Sequence, residues 1–146
     1  MEENGGRQRP TIVLDASVIT KLFIEEDYTD IAEKIVEKYI AGEVDLFTTQ
    51  VSKYEVFNSI KYSEKFNVGM LPRIFSIFDS LDFLVSEEDP WMAPMSLMFA
   101  MQYGLTVYDA SYVALAHVQK ATLYTADNEI VRNVGQPFVK HIREFA

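Results

Sequence analysis

The chain has 146 residues, of which 49% are hydrophobic and 24% are charged, and its formal net charge is −9. This length fits one domain, and the composition is too apolar for a disordered chain. The sequence contains no cysteine, which excludes disulfides and thiolate metal ligands and agrees with a reducing cytoplasm. It also has no run of about 18 apolar residues, so no membrane span is expected. We therefore expect a cytoplasmic protein without a membrane partner.

The acidic charge bears on the choice of partner. A nucleic-acid binder usually presents a basic face, and a net charge of −9 taken alone argues against one. A divalent cation bound by several of these acids would change this balance, because the cation inverts the local electrostatics. A basic protein partner also suits so acidic a chain.

The first segments are a tail, a strand and a short helix. Residues 1–10 lack an apolar core, so they read as a flexible N-terminal tail and not as a signal peptide. The apolar run Thr11–Leu14 is rich in β-branched residues and predicts a buried strand. Ser17 is a suitable cap for a short helix over 18–24.

The rest of the chain alternates between helix-like and strand-like segments. An apolar period of four residues over 31–39 predicts a helix that stops at Gly42. Pro72 and Pro90 suit the first turns of two further helices, and Asp109 is expected to open another. The remaining predicted strands are 45–49, 82–86, 121–125 and 137–142, and the remaining predicted helices are 51–66, 72–81, 90–101, the segment from 109, and 129–134.

This alternation determines the expected architecture. Strands that alternate with helices indicate a parallel sheet with helices on both faces. We expect a single three-layer α/β/α domain over residues 11–146, with a mainly parallel central sheet and the last strand at its edge.

Four carboxylates stand at places that such a fold brings together: Asp15, Glu55, Asp109 and Asp127. Asp15 and Asp127 each come just after a strand-like run, and parallel strands end at the same edge of a sheet. Each aspartate could by itself simply cap a helix, and Glu55 could be a solvated helix residue. Together they predict a metal site, because converging carboxylates are hard to hold without a cation.

Oxygen-rich sites of this kind suit Mg²⁺ or Mn²⁺. Such cations assist phosphodiester hydrolysis, since they lower the pKa of a bound water and stabilise the leaving oxygen. The chain has only two histidines, His117 and His141, so a zinc site is not expected.

The segments around these acids resemble the signature segments of the PIN-domain family, and within it the VapC-type toxin ribonucleases. They read VLDASV from Val13, YEV from Tyr54, VYDASYVALA from Val107 and LYTAD from Leu123. The third segment is the most specific, and the resemblance extends over about residues 11–142.

The resemblance implies a PIN-like fold and a Mg²⁺- or Mn²⁺-dependent endoribonuclease that cuts single-stranded or looped RNA. The family's acidic quartet maps onto Asp15, Glu55, Asp109 and Asp127, which would act as catalytic residues and metal ligands. Ser17 and Thr125 occupy the places of hydroxyls that hold water or substrate. Asn58, one helical turn beyond Glu55, could also face the site.

The resemblance also implies partners, namely an RNA substrate, a second copy of the chain in a homodimer, and an antitoxin protein that inserts a basic side chain among the carboxylates. An arginine would suit this role because its planar fork matches a carboxylate. Two departures from the family pattern are Asn128-Glu129, where a basic residue is frequent, and Gln50-Val51-Ser52, where a proline is frequent.

Other readings remain open. The chain could be a non-catalytic PIN module that binds RNA or protein in an RNA-processing complex. A phosphatase with an aspartyl nucleophile would want a second acid where Ser17 stands, and a receiver domain suits the order of elements poorly. Tyr108 or Tyr112 could stack on bases. Candidate phosphate contacts are Lys21, Lys53, Lys61 and Lys65.

Overall fold

A computed structural model describes residues 9–81 and 84–146. Within these residues four strands form one sheet. They are β1 (Thr11–Leu14), β2 (Asp45–Phe47), β3 (Thr122–Thr125) and β4 (Val139–His141). The order across the sheet is β2-β1-β3-β4 and all pairs are parallel. Each short apolar strand is flanked by a helical connection, which is what a parallel sheet requires.

Seven α-helices connect and cover these strands within the described residues, and they complete the expected three-layer α/β/α fold. They are α1 (Ala16–Ile19), α2 (Thr29–Ile40), α3 (Ser52–Lys61), α4 (Leu71–Leu81), α5 (Met92–Tyr103), α6 (Val107–Gln119) and α7 (Asn128–Val134). None of these helices is long and apolar enough to cross a bilayer.

Helix α6 forms the centre of the core. The side chains from 112 to 116 are almost completely buried, which is more than one face of a surface helix would bury. Thr106 caps this helix, since its hydroxyl accepts a hydrogen bond from the Asp109 backbone N–H at 3.0 Å. The helix therefore begins at Val107, and the prediction that Asp109 opens it was wrong by two residues.

Other predicted boundaries also move; helix α5, for example, begins at Met92, so Pro90 precedes it and does not stand in its first turn. The cap of α1 is Asp15 and not Ser17, because the Asp15 carboxylate accepts from the Val18 N–H at 3.2 Å and the helix begins at Ala16. Helix α3 ends at Lys61 and not near residue 66, because the chain turns at Ser63, whose hydroxyl accepts from the Lys65 N–H.

The predicted strand over 82–86 is only partly within the described residues, since 82 and 83 lie outside them. Val85 forms an isolated parallel bridge with Thr48. Thr48 donates to the Leu84 carbonyl and accepts from the Ser86 N–H, both at 2.9 Å. In the described part of the chain, this segment contributes a single bridge beyond β2.

The predicted tail over 1–10 also lies largely outside the described residues. Its last two residues are described, and Arg9 forms an ion pair with Asp45 at 3.1 Å. The division into a tail and a domain over 11–146 stays a prediction.

Candidate active site

Asp15 stands at the end of β1, where the parallel sheet aligns it with the end of β3. The side chain is buried, with 4% exposure. Its Oδ1 accepts from the Ser17 hydroxyl at 2.6 Å, and its Oδ2 accepts from the Thr125 hydroxyl at 2.5 Å. Buried carboxylates need such donors because desolvation penalises the charged form.

The same two hydroxyls fix the loop that leads from β3 to α7. Thr125 Oγ1 accepts from the Asp127 N–H at 3.0 Å, and Ser17 Oγ accepts from the Ala126 N–H at 2.9 Å. Each hydroxyl thus donates to Asp15 and accepts from the loop. Ser17 and Thr125 therefore couple the position of Asp15 to that of Asp127.

Asp127 is the N-cap of α7. Its Oδ1 accepts from the Glu129 N–H at 2.8 Å, as a capping aspartate does. The neighbouring Asn128 accepts at 3.4 Å from the guanidinium of Arg143, which follows β4. The Arg143 guanidinium therefore places a positive charge beside Asn128-Glu129, the two residues that stand where the family pattern frequently has a basic residue.

Glu55 lies in the first turn of α3 and is held by a side chain from α6. The Tyr112 hydroxyl donates to Glu55 Oε1 at 2.6 Å. Tyr112 is only 1% exposed, so it packs in the core and offers no face to a base. Burial raises the pKa of Tyr112 well above its ordinary value and Glu55 raises it further, so the phenol stays a hydrogen-bond donor.

All four predicted acids line one cavity of about 220 Å³. Asp109 reaches it from the first turn of α6. Ser17, Asn58 and Tyr112 also contribute to the wall, whereas Thr125 is not part of the lining and lies hydrogen-bonded to Asp15. The structure therefore brings together the quartet and two of the three accessory residues that the sequence singles out.

Three acids of this cavity, Asp15, Glu55 and Asp109, have raised pKa values. Burial raises the pKa of Asp15 to about 6, even though hydrogen bonds from Ser17 and Thr125 oppose the rise. Burial also raises the pKa of Glu55, and the nearby Asp109 adds to it. The pKa of Asp109 is raised by burial and then by the charge of Asp127. Mutual repulsion of this kind is relieved by a bound cation.

The donor set suits a hard divalent cation, since it consists of carboxylate oxygens with hydroxyl and amide oxygens beside them. In the described parts of the chain, no group of three or more His, Cys, Asp or Glu side chains is drawn together closely enough to enclose an ion. The reason is visible in the contacts: Asp15, Glu55 and Asp127 are each turned towards protein donors.

Two of the four candidate phosphate-binding lysines are engaged elsewhere. Lys21 is 7% exposed and pairs with Glu26 at 3.5 Å, so it does not face the cavity. Lys65 donates to the Glu25 carbonyl. Lys61 lines the neighbouring groove, together with Glu55 and Asn58.

A parallel sheet with four carboxylates gathered beyond its strands defines a domain of the PIN type. The family model of the PIN domain matches residues 12–135, and the chain belongs to that family. It is 29% identical over 126 residues to Ribonuclease VapC3 of Pyrobaculum aerophilum, an alignment that covers 82% of this chain and 91% of that protein.

Solved structures agree with this fold. The crystal structure of PAE2754 from Pyrobaculum aerophilum matches with a TM-score of 0.67 and 24% identity over 93% of both chains. A toxin–antitoxin complex from Klebsiella pneumoniae matches with a TM-score of 0.66 and 19% identity, over 92% of this chain and 99% of that chain. The expected PIN-like α/β/α fold is thereby confirmed.

Sequence reasoning missed the contact between Tyr112 and Glu55. The two residues are 57 positions apart, and helical periodicity gives no information on which side chains meet across helices. It also missed the double role of Ser17 and Thr125, each of which donates to Asp15 and accepts from the loop before α7.

Proposed function

We propose that the protein is a Mg²⁺- or Mn²⁺-dependent endoribonuclease that cleaves single-stranded or looped RNA, and that it is the toxin of a toxin–antitoxin pair. The observation that carries the proposal is the cavity lined by Asp15, Glu55, Asp109 and Asp127. The ribonuclease name of the relative from Pyrobaculum aerophilum supports the activity, and the complex from Klebsiella pneumoniae supports the biological setting.

In this proposal the four acids hold the cation and Ser17, Thr125 and Tyr112 orient them. A bound Mg²⁺ or Mn²⁺ would supply a Lewis acid and an acidified water. Thr125 and Ser17 keep Asp15 in place against the repulsion of Asp109, and Tyr112 anchors one oxygen of Glu55. Asn58 lines the cavity and offers an amide N–H to a phosphate oxygen.

The proposed partners follow from charge and exposed apolar surface. An antitoxin that places an arginine in the acid cavity would neutralise the repelling carboxylates and block the site. Helix α5 exposes Leu97, Met98 and Met101 at 52%, 54% and 78%, and this apolar surface suits a homodimer interface. We also propose that the protein acts in the cytoplasm, where its RNA substrate would be found.

The test is cleavage of a long, partly unstructured RNA by the wild type and by Asp109→Asn. Each is assayed with Mg²⁺, with Mn²⁺ and with EDTA. Asp79→Asn is the matched control, because Asp79 is exposed on α4 and lies outside the cavity. We expect cutting by the wild type and by the control in either metal, and none by Asp109→Asn or in EDTA. Equal cutting by Asp109→Asn would refute the assignment of the site.

A second candidate function is a non-catalytic PIN module that binds RNA. The observation that favours it is that three of the four acids, Asp15, Glu55 and Asp127, already accept hydrogen bonds from protein donors. This candidate predicts RNA binding by the wild type without cleavage in Mg²⁺ or Mn²⁺, and no rise in melting temperature with either cation.

A further inference from the structure

An open groove of about 690 Å³ continues from the acid cavity across the surface of α3 and the start of α6. The groove and the cavity share Glu55 and Asn58 in their walls. A chain that lies in the groove therefore passes directly into the cavity.

Two tyrosine rings stand exposed along this groove. Tyr54 of α3 is 78% exposed and Tyr108 of α6 is 60% exposed. Within residues 9–81 and 84–146, neither side chain has a hydrogen bond, an ion pair or a ring contact. Helix α3 buries Val56 and Ile60 on its opposite side, so its amphipathic pattern turns Tyr54 outwards.

We propose that Tyr54 and Tyr108 form a base-stacking subsite for the unpaired nucleotides beside the scissile phosphate. This inference rests on the proposed ribonuclease function and specifies how its substrate is held. Unpaired bases bind to proteins largely by stacking on aromatic faces, and a duplex hides those faces. The subsite therefore selects single-stranded or looped RNA.

The charge of the chain supports stacking as a main source of affinity. A net charge of −9 repels phosphates, and binding through phosphate contacts depends on cations that neutralise them. Of the four candidate lysines, Lys61 lines the groove, where its Nζ lies 5.0 Å from the centre of the Tyr62 ring. One such cation is a weak anchor, whereas stacking on two ring faces needs no cation.

The shape of the groove favours a base over a peptide side chain. Phe57 lines the groove, and its ring packs against Phe78 at 4.9 Å and against the buried Phe23 at 6.4 Å between ring centres. Protein partners bind most tightly through anchors that fill deep pockets. This groove instead is open and carries two exposed rings, which suits a planar base.

The experiment measures binding of a short, unstructured, fluorescently labelled RNA by anisotropy in Mg²⁺. The parent protein carries Asp109→Asn so that the RNA stays intact. Onto it are placed Tyr54→Ala and Tyr108→Ala, singly and together. The conservative pair is Tyr54→Phe with Tyr108→Phe, which keeps both rings. Phe75→Ala is the matched control, because Phe75 is an exposed ring, at 58%, outside the groove.

We expect each alanine to weaken binding by about five-fold or more, and the pair to weaken it further. The phenylalanine pair and Phe75→Ala should bind like the parent. An abasic position in the RNA should lower affinity for the parent more than for the double alanine variant. Unchanged RNA affinity in the double alanine variant overturns the subsite, and so does an equal loss in the phenylalanine pair.

Cleavage by the otherwise wild-type protein separates this inference from the proposed function. Metal-dependent cleavage with a normal KM in the double alanine variant would leave the nuclease standing and refute the subsite. Tyrosine-dependent binding without any cleavage would support the subsite and refute the nuclease. No binding of RNA by the parent would refute the subsite, whereas no cleavage by the wild type in Mg²⁺ or Mn²⁺ would refute the nuclease.

Discussion

Replacing Asp15 by Asn should stabilise the metal-free protein at neutral pH and destabilise it slightly in acid. Burial raises the pKa of the Asp15 carboxyl from 3.8 to about 6. At neutral pH the folded protein therefore holds a charge that the unfolded chain accommodates more easily. Asparagine has nearly the same shape and carries no charge, so it removes this penalty.

The sign and size follow from proton linkage. Between 3.8 and about 6 the folded state binds more protons than the unfolded chain, so stability falls as the pH rises through this window. Above this window the raised pKa lowers the free energy of unfolding of the wild type by about 3 kcal/mol. The Asp15→Asn variant avoids this loss, but its hydrogen bonds with Ser17 and Thr125 are weaker and cost about 1 kcal/mol. The net gain at about pH 7.5 is about 2 kcal/mol, or a rise in Tm of roughly 4–8 °C.

The assay is thermal denaturation in EDTA, followed by circular dichroism from about pH 4 to about pH 7.5. At about pH 4 both proteins hold an uncharged group at this position, so only the hydrogen-bond loss of about 1 kcal/mol remains. The two stability curves should cross between these values, whereas Asp79→Asn should run parallel to the wild type. An Asp15→Asn variant that is less stable at every pH would refute the reasoning and show that the hydrogen bonds outweigh the buried charge.

Three further predictions concern the groups around the acids. Mg²⁺ or Mn²⁺ at millimolar concentration should raise the Tm of the wild type through linkage, and EDTA should reverse the rise; a flat response would count against a cation site. Tyr112→Phe removes the donor to Glu55 and leaves that carboxylate free to turn. We expect a folded protein with cleavage lowered by about ten-fold or more, which corresponds to about 1.4 kcal/mol of barrier; unchanged cleavage would show that Glu55 needs no anchor. Thr125→Val should lower the free energy of unfolding by roughly 1–3 kcal/mol in urea titrations, because Asp15 loses a donor and the Asp127 N–H loses its acceptor. Thr125→Ser should restore most of that loss, and equal instability of the serine variant would point to packing of the methyl group.

The sequence predicts the position of the acids well because their placement depends on topology. Asp15 and Asp127 follow apolar runs, and β1 and β3 prove to be adjacent and parallel, with Leu14 opposite Tyr124. Any sequence that specifies these two strands therefore brings the residues just after them to the same edge. Glu55 and Asp109 lie in the first turns of helices that begin at this edge, so they follow from the same rule.

The parts that sequence reasoning did not predict depend on competition between hydrogen-bond partners. Ser17 and Asp15 are both good capping residues, and their order in the sequence gives no preference. The structure resolves the choice through the buried Thr125 hydroxyl and the Ala126 N–H, which engage Asp15 and Ser17 from across the sheet. Such contacts join residues more than 100 positions apart, and local propensity has no access to them.

These contacts also offset part of the repulsion among the four acids. Four acids in one cavity repel each other and lower the stability of the protein, as strained functional sites commonly do. The donors from Ser17, Thr125 and Tyr112 recover part of this loss, but each satisfies only one carboxylate oxygen. The uncompensated repulsion between Asp15, Asp109 and Asp127 remains until a positive charge enters. A metal ion and the basic side chain of an inhibitor would relieve the same repulsion, so the two should compete for the cavity, and each should stabilise the protein most when the other is absent.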